Sequence, residues 1–423
     1  MLDIKFIREN VDLVKKALKS KRSSFDLDAF LRLDENRRQL SGDADNLRAQ
    51  QNTLNDQVST LIKQKKDPKE VIAQSKEVSK KISALEQELK KIKQSFQWQM
   101  LNIPNVPHSS SPIGGENENK IIKTVGQPKK FDFKPLTHIE LSEHLDIIDF
   151  KRGAKLTGSN FILYKGLGAK LQRALVDFMI DLHTTRHGYK EVLPPFIANK
   201  ASMTTTAQLP KLEEDMYRLK DEDYFLIPTA EVPVTNIHSD EILDEKELPI
   251  KYTAYTACFR KEAGSYGKDT RGLVRVHQFD KVELVKFTRS ENSYDELESL
   301  LVDACKVIEL LDVPYRVALL STGEMSFAAA KCYDIEIHAP GMDRWLEVSS
   351  CSNFEDFQAR RGNIRYRDKK SGKPKFVHTL NGSGVALPRL VVAIIENYQQ
   401  KDGSIIIPEV LRKYFNGRTK LEN

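Results

Sequence analysis

Residues 28 to 100 contain a single glycine, Gly42, and repeat apolar side chains every seven residues, the pattern of helices zipped along a seam. Leu33, Leu40, Leu47, Leu54 and Leu61 occupy one heptad position, with Arg37, Ala44, Gln51 and Val58 at the other. A second series, Val71, Val78, Leu85 and Ile92, interleaves with Ser75, Ile82, Leu89 and Phe96. Between them, polar and basic Lys63 to Lys66 lead into Asp67-Pro68-Lys69-Glu70, which offers an N-cap, a proline for the first helical position and a capping-box acid. The spacing predicts an antiparallel hairpin over about 28 to 100, each helix rising roughly 50 Å over about 35 residues. Such a hairpin is an arm; the same heptads would also serve a dimerisation coiled coil. Phe6, Ile7, Val11, Val14 and Leu18 predict a short amphipathic helix ahead of it, able to pack at its base. Behind it, the run from Ile103-Pro104 to Pro112, followed by Gly114-Gly115, reads as a linker over 104 to 119.

The rest of the chain, 120 to 423, alternates helical and β-rich patterns. Leu171, Leu175, Phe178 and Leu182 share one helix face, stopping near Gly188, and Tyr189 to Leu193 reads as a strand ending at Pro194-Pro195. Further strands are expected at Tyr224 to Ile227, Thr253 to Glu262, Val274 to Phe287, Cys332 to His338 and Trp345 to Ser350. Helices are expected near 230 to 243, 292 to 312 and 388 to 400. The expected fold class is α+β: an N-terminal antiparallel coiled-coil arm plus a domain on a mainly antiparallel sheet flanked by helices.

Composition narrows the function classes. The chain has 423 residues, 66 Lys plus Arg against 60 Asp plus Glu, so its net charge of +6 is small and nucleic-acid affinity must come from local patches. No apolar run approaches the roughly 18 residues of a spanning helix, and Met1-Leu2-Asp3-Ile4-Lys5 does not resemble a targeting peptide, so a cytoplasmic protein without membrane contact is expected. Cys258, Cys305, Cys332 and Cys351 form no C-x-x-C pair, and no structural zinc or disulfide is expected.

The chemistry concentrates in Cys258-Phe259-Arg260-Lys261-Glu262-Ala263-Gly264 and Arg275-Val276-His277-Gln278-Phe279-Asp280-Lys281-Val282-Glu283. If both are strands, a period of two puts Arg260 and Glu262 on one side with Lys261 turned away, and gives Arg275, His277, Phe279 and Glu283 a shared face. A lone Arg-x-Glu is ordinarily a solvated cross-strand pair. Together, a guanidinium that grips phosphate, a ring that stacks a base and a carboxylate that holds an ammonium describe a surface for an aminoacyl-adenylate.

These residues, extended through Ser265-Tyr266-Gly267, resemble motif 2 of the seryl-tRNA synthetases, within the class II synthetases. Helix 171 to 187 with Tyr189 to Pro195 is similar to motif 1, the dimer interface of that family. Asn381-Gly382-Ser383-Gly384 followed by Arg389 is similar to motif 3, its glycines suited to close backbone approach. Thr229-Ala230-Glu231, Glu347-Val348-Ser349-Ser350 and Cys351 onward through Arg361 resemble further family segments. The resemblance covers essentially the whole chain, with the motifs in the family's order.

The resemblance implies a serine–tRNA ligase: ATP and L-serine form seryl-adenylate with release of pyrophosphate, and the seryl group passes to tRNA(Ser), with tRNA(Sec) left open as a second acceptor. It implies a homodimer divided into a tRNA-binding domain at 1 to 103, the linker, and a class II catalytic domain at 120 to 423. Arg260, Arg275 and Arg389 are the implied catalytic residues, with Arg260 on the α-phosphate. ATP would meet Arg260, Lys261, Glu262, Val276, Phe279, Glu347, Val348, Ser349, Ser350 and Arg389, the adenine lying between Phe279 and Arg389 with its amino group at Glu262. Serine would meet Thr229, Ala230, Glu231, Arg260, Glu283, Asn381 and Ser383. Glu347 and Ser350 would hold Mg2+ with ATP, hard oxygens suiting that ion. Lys261 departs from the serine many relatives carry there, and His277 is read as structural. A synthetase-like protein that binds tRNA without catalysing is the competing reading, against which the retained Arg260, Glu262, Phe279, Glu283, Asn381, Ser383 and Arg389 argue. In this family the arm reaches tRNA, with Lys63, Lys65, Lys66, Lys69, Arg37 and Arg38 the candidate phosphate contacts.

Overall fold

A computed structural model describes residues 1–263 and 272–422. Its chain forms two units, Asp3–Lys19 with Ser23–Ile103, and Met1–Leu2 with Ser20–Arg22 and Pro104–Asn423. In the first, helices α1 (Ile4–Glu9) and α2 (Val11–Ser20) precede the long pair α3 (Leu27–Lys63) and α4 (Lys69–Leu101). Leu54, Val78 and Ile82 are buried in their seam, joined by Leu47 and Val71. Asp26 caps α3 through the Ala29 N–H. Helix α4 starts one residue later than the proline reading: Pro68 precedes it, and Asp67 accepts the Lys69 N–H at 3.0 Å.

Near the base of the pair, buried Asp34 takes Arg8 and Arg37, both at 2.7 Å, with the Arg38 guanidinium at 3.6 Å. Arg37 also lies over the Phe96 ring, which stacks on Phe30. Of the two arginines expected to meet phosphate, Arg37 is engaged in this contact, whereas Arg38 only approaches it and stays half exposed.

In the second unit, eight strands form one sheet: β1 (Lys120–Val125), β2 (Lys190–Glu191), β3 (Ile250–Phe259), β4 (Gln278–Thr288), β5 (Tyr315–Leu319), β6 (Lys331–Ala339), β7 (Arg344–Asn353) and β8 (His378–Ala386). Their order is β1-β5-β6-β7-β8-β4-β3-β2, antiparallel throughout except where β2 meets β3. Helices α5 (Gly166–Thr185), α6 (Ser293–Leu310) and α7 (Leu387–Asn397) cover one face. Leu171, Leu175, Phe178 and Leu182 of α5 pack there with Val282 and Leu284 of β4, Leu300 of α6 and Val391 of α7. Period two sends Val285 and Phe287 into a separate cluster with Ala254, Tyr366 and Val377. The opposite face near the start of β4 is left for a cleft.

Several expected elements shift. The helix expected over 230 to 243 is only Glu231–Thr235 and a 3-10 turn, Asn236–His238, before a strand at Ile242–Asp244. Strands β1, β5 and β8 lie outside the strands expected. The segment from 104 is no loose linker: Asn105 is buried, its Nδ2 donating to Ala328 O and Phe354 O at 2.9 Å each. Among the described residues, no helix is long and apolar enough to cross a membrane.

Candidate active site

A cleft of about 640 Å³ opens over β4, β7 and β8. Strand β4 supplies Phe279 and Lys281 to the lining, and Glu283, two residues on at the same parity, lies fully buried just beneath it against Lys281 and Asn381. Across the ladder, Ser383 sits opposite Glu283, and Asn381 aims into the same space. The intervening glycines face the other way. A Cβ on Gly382 would lie 2.3 Å from Leu300 Cδ2 of α6, and one on Gly384 would lie 3.0 Å from His183 of α5. The expectation that these glycines admit a ligand is therefore corrected: they admit helices against the back of a central strand.

The two flanks of motif 2 are also not the continuous strands expected. Strand β3 ends at Phe259 and β4 begins at Gln278, so Arg260, Glu262, Arg275 and His277 lie beyond the sheet. Glu262 has a left-handed φ of 49°, and the N–H groups of Lys261 and Ala263 turn to Asp215, whose backbone and side-chain oxygens accept them at 2.9 Å each. What fixes this stretch is His277. Its carbonyl accepts the Arg260 N–H at 2.9 Å, and its Nδ1 donates to the Arg260 carbonyl at 3.0 Å, while its ring packs beside Phe161. Gly264-Ser265-Tyr266-Gly267 of the motif lie outside the described residues.

The polar ends of the cleft differ. At one, the Arg260 guanidinium lies 5.2 Å from the centre of the Phe279 ring and its Nε donates to Pro228 O at 3.2 Å. Arg275 pairs with Glu262 at 3.1 Å. Arg389 follows Pro388 at the start of α7; its Nε donates to Val274 O at 3.2 Å and its guanidinium to Glu347 O at 2.6 Å. Ser350 Oγ donates to Glu347 Oε1 at 3.0 Å, placing two hard oxygens side by side at an accessible spot. Next to them, burial and the Glu347 charge push the Asp334 carboxyl well above its ordinary range, a sign of surplus negative charge. Among the described residues no three His, Cys, Asp or Glu side chains converge as a metal site, so a cation here would complete its shell with phosphate oxygens.

At the other end, two buried carboxylates share one amide: Asn381 Nδ2 donates to Glu283 at 2.9 Å and to Glu231 at 3.1 Å. Gln358 donates to Glu231 at 2.6 Å and is itself held by Thr379 at 2.7 Å. Burial, then the Glu283 charge, pushes Glu231 up to about 7. Lys281 is the residue that sequence reasoning missed. Its buried ammonium lies 2.5 Å from Glu283 and donates to Thr229 Oγ1 at 2.7 Å, so it orients two of the residues expected to meet serine. The only signal was its place between Phe279 and Glu283 at the same parity.

Of the expected site residues, Arg260, Glu262, Arg275, Val276, Phe279, Thr229, Glu231, Glu347, Val348, Ser350, Asn381, Ser383 and Arg389 line this one cleft. Four lie outside its lining. Glu283 is fully buried directly behind Asn381 and Ser383, which both donate to it, Ala230 is fully buried in the core, Ser349 donates its hydroxyl to Ser383 O at 2.6 Å, and Lys261 reaches toward the Tyr217 ring.

A mainly antiparallel sheet with helices on one face and an arginine-lined cleft on the other is the architecture of a class II aminoacyl-tRNA synthetase core. Residues 214–398 match the family described as tRNA synthetase class II core domain (G, H, P, S and T), and residues 1–107 match the seryl-tRNA synthetase N-terminal domain. The chain is 54% identical over 422 residues to the serine–tRNA ligase of Geobacter sulfurreducens, spanning 100% of both. It superposes with a TM-score of 0.93, at 38% identity, on the seryl-tRNA synthetase of Pyrococcus horikoshii complexed with ATP, over 100% of this chain and 99% of that one. For the cytoplasmic serine–tRNA ligase of Naegleria fowleri in complex with AMP the values are 0.88 and 28%, over the same shares. The chain belongs to the seryl-tRNA synthetase family.

Proposed function

We propose that this serine–tRNA ligase performs both steps of its reaction in the cleft over β4, β7 and β8, and that the convergence there of Arg260, Phe279, Asn381, Ser383 and Arg389, with Glu283 buried directly behind Asn381 and Ser383, carries the reading. The serine carboxylate attacks the ATP α-phosphorus and pyrophosphate leaves. The adenylate's carbonyl carbon then passes to the terminal ribose of tRNA, releasing AMP. Arg260 neutralises charge on the α-phosphate, with Arg275 on neighbouring oxygens. Adenine lies between Phe279 and Arg389, its amino group at Glu262. Glu347 and Ser350 are suited to a magnesium ion shared with ATP, which when bound supplies charge neutralisation on the phosphates. No side chain needs to act as nucleophile or base, because positioning and electrostatics supply the catalysis.

For serine, Thr229 and Glu283 take the ammonium, and Glu231, Asn381 and Ser383 surround the hydroxyl. A site that hydrogen-bonds this hydroxyl leaves its own buried groups unpaired with alanine, which gives selectivity without an editing step. Since the serine hydroxyl donates to Glu231 and the ammonium offsets the Glu283 charge that raises it, both favour the ionised carboxylate and serine binding displaces the Glu231 proton. Below about pH 7 the pocket is protonated and serine binds weakly; above it serine binds well. The KM for serine is expected to fall about tenfold from pH 6 to pH 8. In Glu231→Gln that slope flattens; an unchanged slope would assign the titration elsewhere.

We assign residues 1 to 103 to tRNA binding, 104 to 119 to the connection and 120 to 423 to catalysis, in a cytoplasmic homodimer built on α5 and the strand after it. Lys63, Lys65, Lys66 and Lys69, exposed between α3 and α4, are suited to tRNA(Ser) phosphates; tRNA(Sec) is the further acceptor to assay. Serine-dependent exchange of pyrophosphate into ATP is expected without tRNA, and its absence from folded protein with magnesium would overturn the catalytic reading. Deleting 35 to 92 keeps the Phe30–Phe96 stack at the base of the hairpin. That deletion is expected to leave exchange within about twofold and to lower tRNA charging on the order of a hundredfold; equal losses in both steps would remove the tRNA role of the arm.

A further inference from the structure

Two turns along α7 from Arg389, on the same helix face, Glu396 is fully buried and accepts four hydrogen bonds. Its Oε2 takes the N–H groups of Gly341 at 2.9 Å and Met342 at 3.2 Å, and its Oε1 takes the backbone N–H of His138 at 2.8 Å and the His138 ring Nδ1 at 2.9 Å. A ring that donates from Nδ1 to a carboxylate presents Nε2 as an acceptor. That Nε2 accepts the backbone N–H of Leu273 at 3.2 Å. The neighbouring residue must be glycine: Gly272 has a φ of 74°, and a Cβ on it would lie 2.1 Å from His138 Nε2. One residue on, Arg389 from the same helix takes Val274 O. Helix α7 thus grips two consecutive residues, Leu273 by its N–H through His138 and Val274 by its carbonyl. These lead directly into Arg275 and Val276 of the cleft.

His138 is itself buried and does not line the cleft. We infer that Glu396 and His138 are positioning residues that fix segment 273 to 276, and through it the nucleotide end of the active site. The inference rests on the nucleotide reading given above for that end.

Two substitutions separate this role from a structural one. In His138→Gln, the side-chain oxygen reaches the place of Nε2 and still accepts from Leu273. In His138→Asn, the shorter amide reaches only the place of Nδ1, keeping Glu396 and losing Leu273. In the exchange assay His138→Asn is expected to raise the KM for ATP about threefold to tenfold with the serine KM within about twofold, while His138→Gln keeps both within about twofold. A role confined to satisfying Glu396 predicts the reverse order, and either that order or equal values would overturn the inference. Arg389→Ala in the same assay tests the nucleotide reading by itself: if it leaves the ATP KM unchanged, that reading fails; if it raises the KM and His138→Asn does not, only the positioning role fails. Amide exchange of the peptide holding Leu273 covers the case in which His138→Asn folds poorly. Protection is expected in the parent protein and in His138→Gln, and unprotected exchange in the parent protein would overturn the inference.

Discussion

Arg260→Ala is expected to lower serine-dependent pyrophosphate exchange roughly a thousandfold while the melting temperature stays within about 2 °C. The guanidinium is preorganised from both sides. Backbone bonds to His277 fix the residue's main chain, Pro228 O takes Nε, and the Phe279 ring lies beneath the charge. A donor held this way is available to a phosphate as charge develops, without reorganising first. The substitution costs little stability, since it removes the Pro228 O hydrogen bond and the ring contact while the His277 bonds, made to the Arg260 main chain, are kept. Arg260→Lys keeps the charge and loses the planar fork, so it is expected to recover only part of the rate. Exchange within tenfold of the parent in Arg260→Ala would displace this residue from the centre of the mechanism.

The second large effect is expected for Glu283→Gln: about a thousandfold lower kcat/KM for serine, with a melting temperature lower by a few degrees. Glu283 has no exposed surface, and it answers Lys281, Asn381 and Ser383 at once. Neutralising it leaves the Lys281 ammonium without its counter-ion in a buried site, a change worth several kcal/mol in comparable cases. It also removes the charge that would hold the substrate ammonium. The check is steady-state exchange with serine varied, alongside thermal unfolding. If Glu283→Gln alters only stability, the carboxylate is a fold element and the ammonium binds elsewhere. The double variant Glu283→Gln with Lys281→Met removes both charges and is expected to recover stability without recovering serine recognition.

The sequence announced some of this and concealed the rest for physical reasons. Heptads repeated over 28 to 100 leave little freedom, so α3 and α4 were legible almost to their ends. The alternation of Phe279 and Glu283 was legible because β4 is buried on both faces and its parity cannot slip. Strand β8 was hidden by Gly382 and Gly384, which read as room for close backbone approach until α6 and α5 are seen behind them. Glu262 lines the cleft as expected, but its left-handed backbone breaks the strand parity from which its direction was inferred. Lys281 escaped because a buried ammonium is rare and is tolerated only with partners that the fold brings from residues 229 and 283. No local pattern could join His138 to Glu396, 258 positions away.

The glycines behind β8 also limit how this enzyme could change its substrate. Enlarging position 382 would push the strand off Leu300 and Cys351, and with it both neighbours that line the cleft. Variation that preserves the ladder is therefore confined to the odd-numbered positions, 381 and 383. On the serine reading proposed above, drift toward another amino acid passes through side chains on the cleft side, those of 381 and 383 among them, while the helical side of the strand stays closed to it.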